Sequence, residues 1–255
     1  MRVSGSFRVV IPARFESSRL PGKVLLDVGG KPMLRHVWER AQESGADDVV
    51  VATDNERVAD AARAFGAEVC MTSAACQSGT DRVAEVCAAL RWRDDDIIVN
   101  VQGDAPLLPP ASIRKVAELL AAHPQAAIAT LCTPIRDADD YSDPNVVKVV
   151  ADESGRALYF SRASIPAAGH GSTANDALPL ARRHLGLYAY RAGALRTLSE
   201  TPPCDLELLE RLEQLRALWL GMEIRIAVDE AAHGPDVDTE ADLLKVAALL
   251  ATGAG

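Results

Sequence analysis

Three cations stand within ten positions of one another: Arg14, Arg19 and Lys23. They follow an apolar run, Phe7-Arg8-Val9-Val10-Ile11, that breaks at Pro12-Ala13. A short apolar strand that empties into a cationic loop suits a polyanion. In an open α/β sheet, ligands sit beyond the carboxyl ends of the strands. Arginine and lysine are the usual means of holding a triphosphate there. The plain alternative for the loop is a solvated basic turn in a chain of net charge −9.

Three further segments carry chemistry-capable groups. Cys76-Gln77-Ser78-Gly79-Thr80-Asp81-Arg82 leads into a helical pattern. A helix N-terminus offers unpaired amides and a positive dipole end to an anion. Ser-Gly-Thr in that place is also an ordinary helix cap. Gln102-Gly103-Asp104 closes an apolar run, and Asp238 stands on a late loop. Carboxylates at strand ends are hard oxygen donors that suit Mg²⁺. Alone, Asp104 reads equally as a turn residue and Asp238 as the cap of the last helix. Ala52-Thr53-Asp54 ends another strand, where backbone groups could read a base. A cationic loop, an amide nest and two carboxylates together describe a nucleoside triphosphate–Mg²⁺ site.

The elements that must position these groups alternate. Strands are predicted at Arg8–Ala13, Asp48–Thr53, Ala67–Met71, Asp96–Val101 and Ala127–Cys132. Helices are predicted between them, at Pro32–Glu43, Asn55–Phe65, from Thr80 or Asp81 to about Leu90, and at Ser112–Ala122. Such alternation predicts a mostly parallel sheet covered on both faces. After Pro134 the pattern changes to a hairpin (Val146–Val150 with Ala157–Phe160) and a Gly-, Ala- and Pro-rich loop from Ile165 to Leu180. A strand at Leu185–Tyr190, an amphipathic helix at Leu206–Leu218, an edge strand at Ile224–Val228 and a last helix complete the chain. The expected architecture is a single α/β domain over 1–255, with an inserted antiparallel segment at about 134–220. The Ile165–Leu180 loop is expected to be mobile and to fold over a ligand.

Bulk properties narrow the class. The acidic balance argues against a general nucleic-acid binder, which needs a basic face. No apolar run is long enough to cross a bilayer, and the first residues lack the apolar core of a secretory signal. The 5 cysteines are scattered, with no Cys-x-x-Cys pair, as expected of reduced thiols in a cytoplasmic protein. Cys76 alone lies in one of the loops singled out above.

The motifs, taken in order, resemble one family. The chain reads IPARFESSRLPGK, GKPM, VATD, QSGTDR, VNVQGD, PNVVKVV, ALYFSRASIP, RHLGLYAYR, LEQLR and VDT. This series is similar, nearly end to end, to the bacterial 3-deoxy-manno-octulosonate (Kdo) cytidylyltransferases, also called CMP-Kdo synthetases. The resemblance implies a nucleotide-diphospho-sugar transferase fold, CTP as donor, Mg²⁺ as cofactor, an acidic small-molecule acceptor and a homodimer. It implies that Arg14, Arg19 and Lys23 hold the triphosphate and, with Asp104 and Asp238, form the catalytic set. Pro12, Ala13, Arg14, Gln77, Ser78, Gly79 and Arg82 would bind the nucleotide, and Asp104 and Asp238 the metal. Gln102, Arg162, His184, Tyr188, Glu213 and Gln214 would face the acceptor.

Three positions depart from the family pattern: Ala105 replaces a glutamate, and Cys76 and Leu208 each replace a histidine. None is a nucleotide or metal residue. Ala105 and Leu208 adjoin acceptor positions, so the acceptor expectation has branches. Kdo and lipopolysaccharide assembly come first. An amino-Kdo, or a phosphonate such as phosphonoformate in phosphonate biosynthesis, comes second. A non-catalytic CTP-binding regulator comes last.

Overall fold

The computed structural model describes residues 6–16, 20–231 and 233–251. The chain opens with β1 (Arg8–Pro12), a 3₁₀ turn (Lys23–Leu25) and a small hairpin of β2 (Asp27–Val28) and β3 (Lys31–Pro32). There follow α1 (Met33–Glu43), β4 (Asp48–Thr53), α2 (Glu56–Ala64), β5 (Glu68–Met71), α3 (Gly79–Ala89), β6 (Ile97–Asn100), α4 (Pro110–Ala122) and β7 (Ile128–Pro134). The second half holds α5 (Ala138–Ser142), β8 (Lys148–Ala151), β9 (Ala157–Ser161), α6 (Ala174–Ala177), β10 (Arg182–Arg191) and α7 (Ala192–Glu200). It ends with α8 (Asp205–Glu210), α9 (Gln214–Trp219), β11 (Ile224–Val228) and α10 (Glu240–Ala251).

The main sheet runs β11-β7-β10-β6-β1-β4-β5. β1 pairs in parallel with β4 and β6, β4 with β5, and β7 with β11. β10 runs antiparallel between β6 and β7, and the β8–β9 hairpin hangs from it. The expected parallel sheet with an antiparallel insertion is borne out. Strand period 2 explains the burial on both faces. Val9, Ile11 and Val99 pack with Leu34, Val37, Ile113 and Leu120 in one core. Val10 and Ile98 pack with Val83, Val86, Leu195 and Leu215 in the other.

Two expectations are corrected. The helix expected at Leu206–Leu218 is two short helices, because Arg211 adopts φ +53, a left-handed conformation that ends α8. Apolar periodicity carries across this break, so it could not reveal it. The segment Ile165–Leu180 is not loop throughout, since it contains α6 and a second 3₁₀ turn at Leu178–Leu180. Its Gly and Pro content masked these single turns.

Candidate active site

The loops after β1, β5 and β6 and the loop before α10 meet around a cleft of about 420 Å³. Its wall gathers most of the residues singled out by sequence. Pro12, Arg14 and Lys23 come from the first loop, Gln77, Ser78, Gly79 and Arg82 from the α3 start, Gln102 and Asp104 from the end of β6, with Glu213 and Asp238. The loops approach closely. A Cβ on Gly103 would stand 2.9 Å from the Pro12 carbonyl oxygen, so the end of β6 can press on the end of β1 only as glycine.

The α3 terminus is built as expected. Asn55 caps α2 with its side chain, and Ser78 does the same for α3 within a full capping box. The Asp81 amide donates to Ser78 Oγ at 3.1 Å, and the Ser78 amide donates to the Asp81 carboxylate at 3.0 Å. The cap leaves the amides of the first helical turn without intrahelical partners, as in every helix. Ser78 and Gly79, at this terminus, line the cleft.

Lys23 is the electrostatic centre. Its Nζ donates to Asp104 Oδ2 at 2.5 Å, to Asp238 Oδ1 at 3.0 Å and to the Val237 carbonyl at 2.9 Å. The Val237 amide donates to the Asp104 carbonyl at 2.9 Å, tying the two carboxylate loops together. Burial pulls the Lys23 pKa down, but the hydrogen bonds and charges of Asp104 and Asp238 outweigh it and leave it raised. Asp236 stands near by. Desolvation and the like charges of Asp104 and Asp238 push its pKa up to about 6. Sequence reading passed over Asp236, although it lies two positions before Asp238.

Two carboxylates from distant loops thus converge on one cation. Among the described residues no group of three or more His, Cys, Asp or Glu side chains is placed to hold a metal. A two-carboxylate set fits Mg²⁺, which is commonly held by one or two carboxylates together with substrate phosphates.

Two smaller hollows adjoin the cleft and share Gln102 with it. One, of about 170 Å³, is lined by Tyr188, Glu213 and Gln214. The other, of about 230 Å³, is lined by His184 and Ala105. The His184 and Tyr188 rings lie 5.1 Å apart, on one face as their spacing predicts, across an irregularity in the β7–β10 pairing. The Thr130 hydroxyl donates to the Leu187 carbonyl at 2.7 Å, so its oxygen accepts from His184 Nε2 at 2.8 Å. That assignment puts the His184 proton on Nε2. Burial pushes the His184 pKa down to about 3, so the ring is neutral at physiological pH.

Other singled-out residues lie elsewhere. Ala13 is fully buried behind the cleft, its amide donating to the Ala52 carbonyl. Arg162 lines none of the three cavities. Its Nε donates to the Glu210 carbonyl and a terminal nitrogen to that of Pro144, tying the β8–β9 hairpin to α8. Leu208 is 63% exposed on α8 and lines none of these cavities. Arg19 lies outside the described residues. Cys76 does line the cleft, but burial, then the hydrogen bond to and charge of Glu85, push its thiol up to about 11. It therefore stays protonated and is a poor nucleophile.

A polar clasp anchors the chain between β11 and Asp238. Ser112 Oγ donates to Asp229 Oδ2 at 2.5 Å, His233 Nε2 lies 2.9 Å from the same oxygen, and Lys115 Nζ lies 3.3 Å from Oδ1. Burial raises the Asp229 pKa, but the bonds from Ser112 and His233 outweigh it and hold it below the ordinary carboxylate value. Removing this acceptor by Asp229→Ala strands buried donors and is expected to cost about 3 kcal/mol in urea unfolding at pH 7. A depressed pKa stabilises above the unfolded value and is lost as pH falls through the folded one. The gap between wild type and variant should therefore narrow below about pH 4. A gap that stays constant to pH 2.5 would contradict an ionised Asp229.

A cleft lined by cations and the start of a helix at the carboxyl edge of an α/β sheet, with two convergent carboxylates, defines a nucleotide-binding transferase. The cytidylyltransferase family model matches residues 8–224. The chain is 54% identical over 248 residues to the 3-deoxy-manno-octulosonate cytidylyltransferase of Thioalkalivibrio sulfidiphilus, covering 96% of this chain and 99% of the relative. It is 53% identical to that of Vibrio parahaemolyticus, covering 96% and 98%. A solved structure of CMP:2-keto-3-deoxy-manno-octonic acid synthetase complexed with CTP superposes with a TM-score of 0.89 at 43% identity. That match covers 97% of this chain and all of the other. The chain therefore belongs to the cytidylyltransferase family and, within it, to the 3-deoxy-manno-octulosonate cytidylyltransferases. The amino-Kdo, phosphonate and regulator branches gain no support from these relatives.

Proposed function

We infer that this enzyme transfers CMP from CTP to Kdo and releases pyrophosphate, making CMP-Kdo for lipopolysaccharide assembly. The observation that carries the reading is the convergence of Lys23, Asp104 and Asp238 beside the α3 terminus, in a chain 54% identical to a named relative over almost its whole length. An acceptor hydroxyl oxygen bonds to the α-phosphorus, the bond to the β-phosphate oxygen breaks, and the hydroxyl proton leaves to solvent. Such transfer needs positioning and charge neutralisation rather than a protein nucleophile. Arg14 and Lys23 would neutralise the departing pyrophosphate, and the amides of Gly79 and Thr80 would fix the nucleotide.

Asp104 and Asp238 would hold Mg²⁺. When bound, that ion supplies Lewis-acid polarisation of phosphate oxygens and lowers the pKa of an attacking hydroxyl. Neutral His184, Tyr188, Glu213 and Gln214 surround the hollows in which the sugar acid would lie.

We place the enzyme as a homodimer. Leu208 and Leu209 on α8 and Trp219 on α9 are large apolar side chains exposed by 63%, 80% and 62%. Large exposed apolar patches mark interaction sites. Among the described residues no helix is long and apolar enough to cross a membrane. The cysteines are all free, which suits a reducing compartment such as the cytoplasm.

The test is pyrophosphate release from CTP and Mg²⁺ by purified protein, with Kdo and phosphonoformate offered separately. Turnover with Kdo is expected, with none above background for phosphonoformate. Turnover with phosphonoformate alone would overturn the acceptor assignment.

A further inference from the structure

Glu207 and Arg216 are charged, buried and unused by the reaction described above. Glu207 is the one buried residue of α8, whose leucines are exposed. Its Oε1 accepts from a terminal nitrogen of Arg216 at 3.0 Å, and Arg216 Nε lies 2.9 Å from Oε2. The other terminal nitrogen of Arg216 donates to the carbonyls of Leu198 and Thr201 at the end of α7, at 2.9 and 2.6 Å. The pair therefore fastens α7, α8 and α9 at one point. A buried ion pair is a poor source of stability, because desolvation offsets much of the attraction. Apolar packing is already supplied here by Leu212 and Leu215. What a buried pair adds is a fixed geometry.

The segment bracketed by the pair carries two groups of the site. Glu213 lines the main cleft and, with Gln214, the 170 Å³ hollow. Glu207 and Arg216 line neither. Backbone bonds tie the bracket to its contents. The Leu212 amide donates to the Glu207 carbonyl at 3.3 Å, and the Arg216 amide donates to the Glu213 carbonyl at 3.1 Å. Arg211, at φ +53, interrupts the helix inside the bracket, so the aim of the turn follows from its two ends. Burial raises the Glu207 pKa, Arg216 opposes the rise, and the charge of Glu213 adds to it, which shows how near the three groups stand.

We propose that Glu207 and Arg216 are positioning residues, whose ion pair sets the turn between α8 and α9 so that the Glu213 carboxylate is presented to the acceptor. This rests on the Kdo reading above and goes beyond it, since it gives a part in the reaction to two groups outside the cleft.

The test is a double-mutant cycle of Arg216→Lys and Glu213→Gln, read as kcat/KM for Kdo at saturating CTP. Lysine keeps the charge but lacks the planar fork that serves Glu207 and two α7 carbonyls together. Arg216→Lys is expected to lower kcat/KM at least tenfold through a higher KM for Kdo, with KM for CTP within threefold of wild type. Glu213→Gln is expected to cost at least tenfold in the wild-type background and less than threefold in the Arg216→Lys background. Residues that act through one another give such coupling, whereas independent ones do not. A merely structural Arg216 would give effects that multiply, and that result would overturn the proposal. Wild-type kcat/KM in Arg216→Lys, or a cost below threefold for Glu213→Gln alone, would overturn it as well. If the lysine variant does not fold, Glu207→Gln takes its place in the same cycle. Failure of wild type to use Kdo would overturn the functional reading and the proposal with it.

Discussion

Asp104→Asn and Asp238→Asn are each expected to reduce Mg²⁺-dependent pyrophosphate release by a thousandfold or more, about 4 kcal/mol of transition-state stabilisation. The two carboxylates come from loops more than a hundred residues apart, yet both reach Lys23 Nζ within 3.0 Å. An amide keeps the shape and loses the charge, so cation binding should fail while the loops stay in place. The fold should suffer little, because the amide oxygen can still accept from Lys23 Nζ, although one of the two ion pairs of this half-buried cation is lost. Thermal unfolding of either variant is therefore expected at or a few degrees below the wild-type temperature. Turnover within tenfold of wild type in either variant, at saturating Mg²⁺, would remove that residue from the metal site.

The second large effect is expected at Lys23. Lys23→Met deletes the cation that bridges Asp104 and Asp238 and that lines the main cleft. A hydrogen bond to a charged group contributes about 1.5–3 kcal/mol, so kcat/KM for CTP should fall by about a hundredfold at the upper figure. The loss should appear as weakened CTP binding in calorimetric titration and not only as slower chemistry. CTP affinity equal to wild type would mean that Lys23 serves the carboxylates alone.

Much of the main cleft was legible because each of its parts is local in sequence. The first strand and its cationic loop, the Ser78 cap and the Gln102-Gly103-Asp104 turn each carry their own signal. The acceptor half was less legible because it depends on side-chain contacts between distant elements. His184 and Tyr188 share a face by simple alternation, yet only the fold shows that Thr130 fixes the His184 tautomer. Arg162 illustrates the same point: its guanidinium is engaged by the carbonyls of Pro144 and Glu210, which no spacing could indicate. The break at Arg211 and the approach of Asp236 to the carboxylate pair were equally hidden. A left-handed residue other than glycine and a tertiary like-charge contact leave no mark on periodicity. Arg216 closes a motif that was read, but its pairing with Glu207 is visible only in the packed structure.

The most direct test of the central claim is the fate of the α-phosphorus. Wild-type enzyme is incubated with CTP, Mg²⁺ and Kdo labelled with ¹³C at its anomeric carbon, and the mixture is followed by phosphorus and carbon NMR. The account expects a new phosphodiester resonance coupled to that carbon, appearing in step with pyrophosphate. Pyrophosphate accompanied by free CMP, or no new phosphodiester while CTP is still bound, would contradict transfer to Kdo.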